Sequence, residues 1–200
     1  VGTFSQPKFV ICDVALLHSL PEREFRAGLA EVIKTAILGD SELFNILEQS
    51  SFESLREEET LLESIILRSI RVKASVVAED EREGGRRRIL NLGHTIAHAI
   101  EKSTSKFSHG EAVAIGLHHI TRVALAQDLI SANDAERIFA LIDRYGFDTT
   151  LPIEHKQLLD AIKADKKRSG NAIHLILPSA IGGVIERTVS LKELKGMIVI

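Results

Sequence analysis

The stretch "LPEREFRAGLAEVIKTAILGD" (residues 20–40) decides the fold class. Pro21 stands where a helix can begin without losing a backbone hydrogen bond, acids fill the first turn, and Gly39 marks the end. The stretch therefore predicts a helix. Inside it, "GLAEVIK" puts Glu31 and Lys34 three residues apart on one side, beside Ala27, Ala30 and Leu38. Two charges among small and apolar neighbours raise the question of what they serve, a solvated ion pair being the plain alternative.

Working outward, "EEETLLESIILRSIRVKASVVAED" places Leu62, Ile65, Ile66, Ile70, Val76 and Val77 at helical spacing, which predicts one long helix over about 57–78. "EDEREGGRRR" follows, with an acidic half, a Gly84–Gly85 pair and a basic half, and reads as an exposed connection. Helices are predicted again over about 93–102, 109–128, 133–145 and 154–164, with Gly146 as a C-terminal stop. Upstream, "KFVICD" (8–13) is a short β-branched run suited to a strand. Downstream, "AIHLILPS" reads as a strand with which "GGVIERTV" can pair, and "SLKELKGMI" as a closing helix capped by Ser190. No internal repeat, low-complexity tract or long linker interrupts the chain. The expectation is a mainly α, multi-helix domain over residues 1–200 with a few short strands toward its ends.

Composition narrows the function. Two hundred residues with 44% apolar content can build a sizeable core, and a formal charge of −3 gives no reason to expect nucleic acid as a partner. A single cysteine, Cys12, excludes a disulfide framework and Cys-rich zinc sites, and points to an intracellular, cytoplasmic setting. No run approaches the roughly 18 apolar residues of a membrane span, and the amino end lacks the pattern of a signal peptide. The first residue is Val1 rather than Met, which fits a processed chain or a piece of a longer one.

"RILNLGHTIAHAIE" (88–101) and "HGEAVAIG" (109–116) carry the chemistry. Five of the eight histidines, His94, His98, His109, His118 and His119, fall within 26 residues. A helical histidine on an apolar face is commonly a core residue. Here, however, Gly93 and Gly110 adjoin His94 and His109 at predicted helix starts, and Gly116 lies on the face of His109, where missing side chains would admit a ligand. His94 and His98 share a helix face. A metal could be reached by both, or by His94 with a residue from elsewhere, for which Glu31 is the candidate. Lys73 lies in the apolar stripe of its helix and must either snorkel out or meet an anion. A carboxylate, two imidazoles and an open position suit catalytic zinc, and lysines with Arg87 nearby suit a phosphorylated or carboxylated substrate.

Three motifs in order, "LPEREFRAGLAEVIKTAI", "VKASVVAEDEREGGRRRILNLGHTIAHAIE" and "HGEAVAIGL", resemble 3-dehydroquinate synthase, a member of the sugar-phosphate cyclase superfamily. The resemblance runs from about Phe4 through "DKKRSGNAIHLILPSAIG" and corresponds to the carboxy-terminal, metal- and substrate-binding half of such an enzyme. The amino-terminal NAD domain with its glycine-rich phosphate loop has no counterpart in these 200 residues. The resemblance implies that Glu31, His94 and His109 hold a divalent metal, zinc or another such as cobalt. It assigns Lys34, Lys73, Arg87, Asn91 and one of Lys166 and Lys167 to the substrate, and Glu83 and His98 to proton transfer. The segment "LLHS" (Leu16, Leu17, His18, Ser19), with Ala27, would edge the NAD pocket. His118, His119, His155 and His174 match no motif and, like His18 apart from its place in that segment, read as structural or surface residues.

The implied activity is a phosphate-eliminating lyase of the shikimate pathway in aromatic amino-acid biosynthesis, converting 3-deoxy-D-arabino-heptulosonate 7-phosphate to 3-dehydroquinate and phosphate. NAD oxidises a ring hydroxyl, phosphate leaves by elimination, the ketone is reduced again, and ring opening with aldol closure makes the carbocycle. The resemblance also implies a homodimer, and this chain alone is expected to be inactive without its NAD domain. Sister sugar-phosphate cyclases are the nearest alternative; several alter the positions matching Asn91 and His98, both present here. A helical metal hydrolase would show a glutamate directly after the first His of an HxxxH pair, whereas the chain reads "HTIAH". A helical module with a structural metal would want a fourth protein ligand.

Overall fold

The structure of the chain, a computed structural model, describes residues 7–81, 85–166 and 173–198, without the side chains of 165 and 166. Its helices are α1 (Glu22–Gly39), α2 (Ser41–Gln49), α3 (Phe52–Glu57), α4 (Glu59–Glu79), α5 (His94–Ser103), α6 (His109–Ala126), α7 (Ala132–Arg144), α8 (His155–Lys166) and α9 (Leu191–Met197). Two 3₁₀ helices, Val14–Ser19 and Arg86–Asn91, flank the first four of these, and strands β1 (Ile173–Ala180) and β2 (Gly183–Val189) pair antiparallel. The mainly α expectation holds.

α6 is the axis of the core. Its residues Ala112, Val113, Ala114, Ile115, Gly116 and Leu117 are all buried, as befits a helix that is apolar on every side. α1 and α7 pack along it, α5 packs between it and α8, and the β1–β2 hairpin closes over α6 and α1. Side-chain hydrogen bonds fix the joints. Asp40 caps α2 by accepting from the Leu43 amide at 2.9 Å and holds Arg68 of α4 through two bonds of 2.8 and 2.9 Å. Tyr145, fully buried after α7, donates its hydroxyl to the Leu47 carbonyl at 2.9 Å. Gly146 ends α7 in the left-handed region at φ 71, as its sequence position predicts.

Three expectations are corrected. "KFVICD" forms no strand: Phe9, Val10 and Ile11 are 76%, 71% and 81% exposed, and the described residues offer them no neighbouring strand to satisfy their backbone groups. The long helix begins at Glu59, because α3 precedes it and Glu58 lies extended between the two. Its buried face runs through Leu62, Ile65 and Val76, leaving Ile70 and Lys73 exposed, so Lys73 lies outside the apolar stripe. α2 and α3 were not expected from the sequence. The basic half of the presumed connection winds into the second 3₁₀ helix.

Candidate metal centre

Glycine contacts between helices assemble the centre. A Cβ on Gly110 would stand 2.0 Å from the Ala27 carbonyl oxygen, so α6 lies backbone to backbone on α1. A Cβ on Gly116 would stand 2.2 Å from the Gly93 oxygen, which brings α5 equally close to α6. Gly93 itself caps α5 at φ 77, a conformation glycine adopts without strain. These glycines therefore admit neighbouring backbone rather than a ligand, correcting that expectation, and the close approach sets the reach of three side chains. Glu31 comes from the middle of α1, His94 opens α5, and His109 opens α6.

The opening of α6 is fixed twice. Ser108 and Glu111 form a reciprocal cap, and the Glu111 carboxylate also takes two bonds from Arg23 of α1, at 2.7 and 2.9 Å. That guanidinium, with the cap's donors, pulls the Glu111 carboxyl down to about 2 against the opposing effect of burial. His109, first residue of the helix, is held against α1 as a result.

Three ligand-type atoms converge. Glu31 Oε1 lies 3.6 Å from His94 Nε2 and 3.4 Å from His109 Nε2, and one such atom from each residue falls within 4.8 Å of the others. Glu31 Oε1 is buried and accepts no hydrogen bond from the described residues, while its partner oxygen accepts one from Lys34 at 2.7 Å. A tetrahedral cation with bonds of about 2.0 to 2.1 Å sets its ligands about 3.4 Å apart. The spacing and the orphaned carboxylate oxygen fit a small divalent metal such as zinc.

Protonation agrees with that use. Burial, then the Lys34 ammonium, pushes His94 down to about 4, leaving it a neutral ring at neutral pH. Burial works to raise Glu31, but Lys34 and the two imidazoles outweigh it and hold the carboxyl below its ordinary value. Lys34 is itself buried and lowered, by desolvation first and by the charge of Lys73 among lesser causes. Exposed Lys73 is thus within electrostatic reach of the centre.

The other expected residues are distributed around it. His98, one turn beyond His94, sets its ring edge-on to that of His94 at 5.3 Å and joins no metal-type group among the described residues. Arg87 and Asn91 lie on the second 3₁₀ helix, which packs against α4 and α1; Arg87 donates to the Glu81 carbonyl at 2.6 Å. Leu16, Leu17, His18 and Ser19 lie on the first 3₁₀ helix, beside α4, with Leu16 67% exposed. Ala27 packs under Gly110. Glu83, Lys167 and the side chain of Lys166 fall outside the described residues. His119 donates from Nε2 to the Thr149 carbonyl oxygen at 3.2 Å, and His118 packs on Phe139.

Sequence reading missed the residues that hold the site in place. Asp80 Oδ2 accepts from the Gly85 amide at 2.7 Å and the Arg87 amide at 3.0 Å, stapling the turn that carries Arg87. Glu186 on β2 binds Arg88 at 3.2 Å and His174 at 2.6 Å, tying the same turn to the hairpin. A short acid just ahead of a glycine pair was the available signal for Asp80; nothing local marks Glu186, whose partners are distant in sequence.

Comparison with solved structures gives the class first. The fold superposes with TM-score 0.83 on 2-epi-5-epi-valiolone synthase from Streptomyces hygroscopicus subsp. jinggangensis 5008, solved with NAD+ and Zn2+ bound, at 24% identity over 92% of this chain and 53% of that one. With a 2-deoxy-scyllo-inosose synthase complexed with carbaglucose-6-phosphate, NAD+ and Co2+, the TM-score is 0.82 at 25% identity, over 99% of this chain and 57% of that one. The fold is therefore one found in sugar-phosphate cyclases. Residues 28–168 match the 3-dehydroquinate synthase C-terminal family, and the chain belongs to it. Proteins named 3-dehydroquinate synthase from Nostoc sp. (strain PCC 7120) and Campylobacter fetus subsp. fetus are 44% and 43% identical, over 92% and 91% of this chain. The chain spans about half the length of the curated relatives it matches, 52% in both of these. Among the described residues no helix is long and apolar enough to cross a membrane.

Proposed function

We propose that this chain is the helical metal- and substrate-binding domain of a 3-dehydroquinate synthase, working with an NAD-binding portion supplied by the rest of the protein. The observation that carries the reading is the buried, unpartnered Glu31 Oε1 with two imidazole Nε2 atoms at 3.4 and 3.6 Å. Glu31, His94 and His109 would hold a divalent metal, zinc or cobalt, through three protein ligands, the open pattern of a catalytic rather than a structural site. When bound, the metal supplies Lewis acidity at the substrate oxygen, and NAD supplies hydride transfer.

The chain's own residues do the rest. Lys34 neutralises one oxygen of Glu31 and turns the other toward the histidines. Lys34, Lys73, Arg87 and Asn91, with Lys166 or Lys167, would bind the phosphate and carboxylate of a heptulosonate and keep it oriented through successive steps. His98, whose ring lies edge-on beside that of His94, would exchange a proton with substrate, and Glu83 would share that work. Leu16, Leu17, His18 and Ser19 would border the cofactor. The exposed run Phe9, Val10 and Ile11 supports an apolar contact with the NAD-binding portion, and a homodimer of the whole is part of the reading.

A second reading, another sugar-phosphate cyclase, draws on the two solved synthases. Higher identity to the proteins named 3-dehydroquinate synthase, 44% against 24 to 25%, favours the first, as do Asn91 and His98. The test is phosphate release by the full-length protein with NAD and zinc. Turnover of 3-deoxy-D-arabino-heptulosonate 7-phosphate to a product with dehydroquinate's ultraviolet absorbance is expected. Inertness toward it, with turnover of sedoheptulose 7-phosphate or glucose 6-phosphate, would replace this reading with the second.

A further inference from the structure

The two imidazoles at the centre are oriented by different means. His94 Nδ1 lies 3.1 Å from the Leu92 carbonyl oxygen, and His109 Nδ1 lies 3.0 Å from Glu101 Oε1. A carbonyl and a carboxylate only accept, so each ring carries its proton on Nδ1 and presents a bare Nε2 to Glu31. For His94 the acceptor is main chain, and the ring is packed, with 11% of its side chain exposed. His109 has no such enclosure, being 49% exposed at the first position of α6. Its ring orientation depends on a carboxylate reaching over from the last turn of α5.

That carboxylate stands in an unfavourable place for a helix. An acid near a helix C-terminus opposes the helix dipole. Glu101 is partly exposed and gains no capping bond on its own helix. What it does contact is the free nitrogen of a ligand-type histidine, the outer half of a carboxylate–histidine–metal arrangement.

We propose that Glu101 is a positioning residue for the metal centre, holding His109 in the Nδ1–H tautomer with Nε2 aimed at the cation. The inference rests on the metal reading above and adds a residue to it. Without Glu101 the His109 ring can turn over or move its proton to Nε2, and the centre loses one of three ligands for part of the time. An ordinary surface pair of His109 with Glu101 would contribute little and would leave metal affinity untouched.

Zinc dissociation constants, measured by competition with a chromophoric chelator, separate these outcomes on the chain and its Glu101→Ala and Glu101→Gln variants. Alanine should weaken binding about 10- to 100-fold, and glutamine less, since its amide oxygen still accepts from Nδ1–H. The visible spectrum of the cobalt-loaded protein should change in the alanine variant and return toward wild type with glutamine. In the metal-free protein, long-range proton–nitrogen NMR of His109 should show the Nδ1–H tautomer in wild type and a mixture with alanine, with unchanged far-UV circular dichroism. Equal zinc affinity in all three proteins, or an unchanged His109 tautomer, overturns the role of Glu101. Failure of the wild-type chain itself to take up stoichiometric zinc overturns the metal reading, and this inference with it.

Discussion

Among the described residues are two histidine clusters, one shared between the starts of α5 and α6 and one further along α6, and only the first is built as a ligand set. His94 and His109 approach a carboxylate oxygen that no hydrogen bond from the described residues satisfies. His118 and His119, further along α6, meet an aromatic ring, a backbone carbonyl and the charge of Arg122. Burial lowers His94, His118 and His119 alike, so a depressed imidazole does not distinguish the clusters. The orphaned acceptor does. In this chain the difference is a carboxylate from another element that arrives with one oxygen unspent.

Exchanging the clusters' fates is the sharpest way to break this contrast. His94→Ala should remove stoichiometric zinc, assayed by metal analysis after dialysis, whereas His119→Ala should retain it. The second variant should instead lose about 1 to 3 kcal/mol of stability in urea, because the Thr149 carbonyl forfeits its partner. Zinc retained in the His94 variant would dissolve the distinction.

The scaffold comes next in size. Gly110→Ala forces a Cβ against the Ala27 carbonyl and should cost about 3 kcal/mol by urea denaturation, the upper range for overpacking. It should also weaken zinc, since His109 adjoins the displaced backbone. An alanine at Gly196, where a Cβ meets nothing within 4 Å, should leave zinc affinity unchanged.

The smallest effect is on pH dependence, and here the clusters should behave alike. His118 is held at about 4 by burial first and then by His119 and Arg122, against an ordinary value of 6.5. Between those values the unfolded chain binds the proton that the folded chain refuses, so this contribution is complete above pH 6.5 and is lost as pH falls toward 4. His94 adds the same trend in metal-free protein. Urea midpoints of His118→Gln should fall less steeply over that window than wild type; an identical slope would show that His118 is not the titrating group.

The helical fold was legible because its signals are local. Pro21 and Gly39 bracket α1, and Gly146 stops α7, with no help from the rest of the chain. α2 was missed although Asp40 caps it, because the cap directly follows the end of α1 and no gap announces a new helix. "KFVICD" failed for the opposite reason: strand propensity needs a partner, and sequence composition does not supply one. At the centre, Glu31, His94 and His109 could be proposed as a set by resemblance, and their convergence is visible only once α1, α5 and α6 pack. Glu101 shows the limit. Eight residues from His109, it looks like any acid at the end of a surface helix until the turn between α5 and α6 folds it back.

The contact between Gly110 and Ala27 bears on how such a centre can change over generations. Where two side chains collide, a smaller residue on one side can suppress an enlargement on the other. Here the obstacle to a Cβ at position 110 is a main-chain carbonyl, which every residue type at position 27 would present. No substitution at 27 can restore the fit, so a lineage that loses this glycine has no single-step suppressor across the interface. The helix spacing that sets the reach of Glu31 and His109 is thereby insulated from gradual drift, a constraint that does not extend to a side chain exposed to solvent such as Lys73.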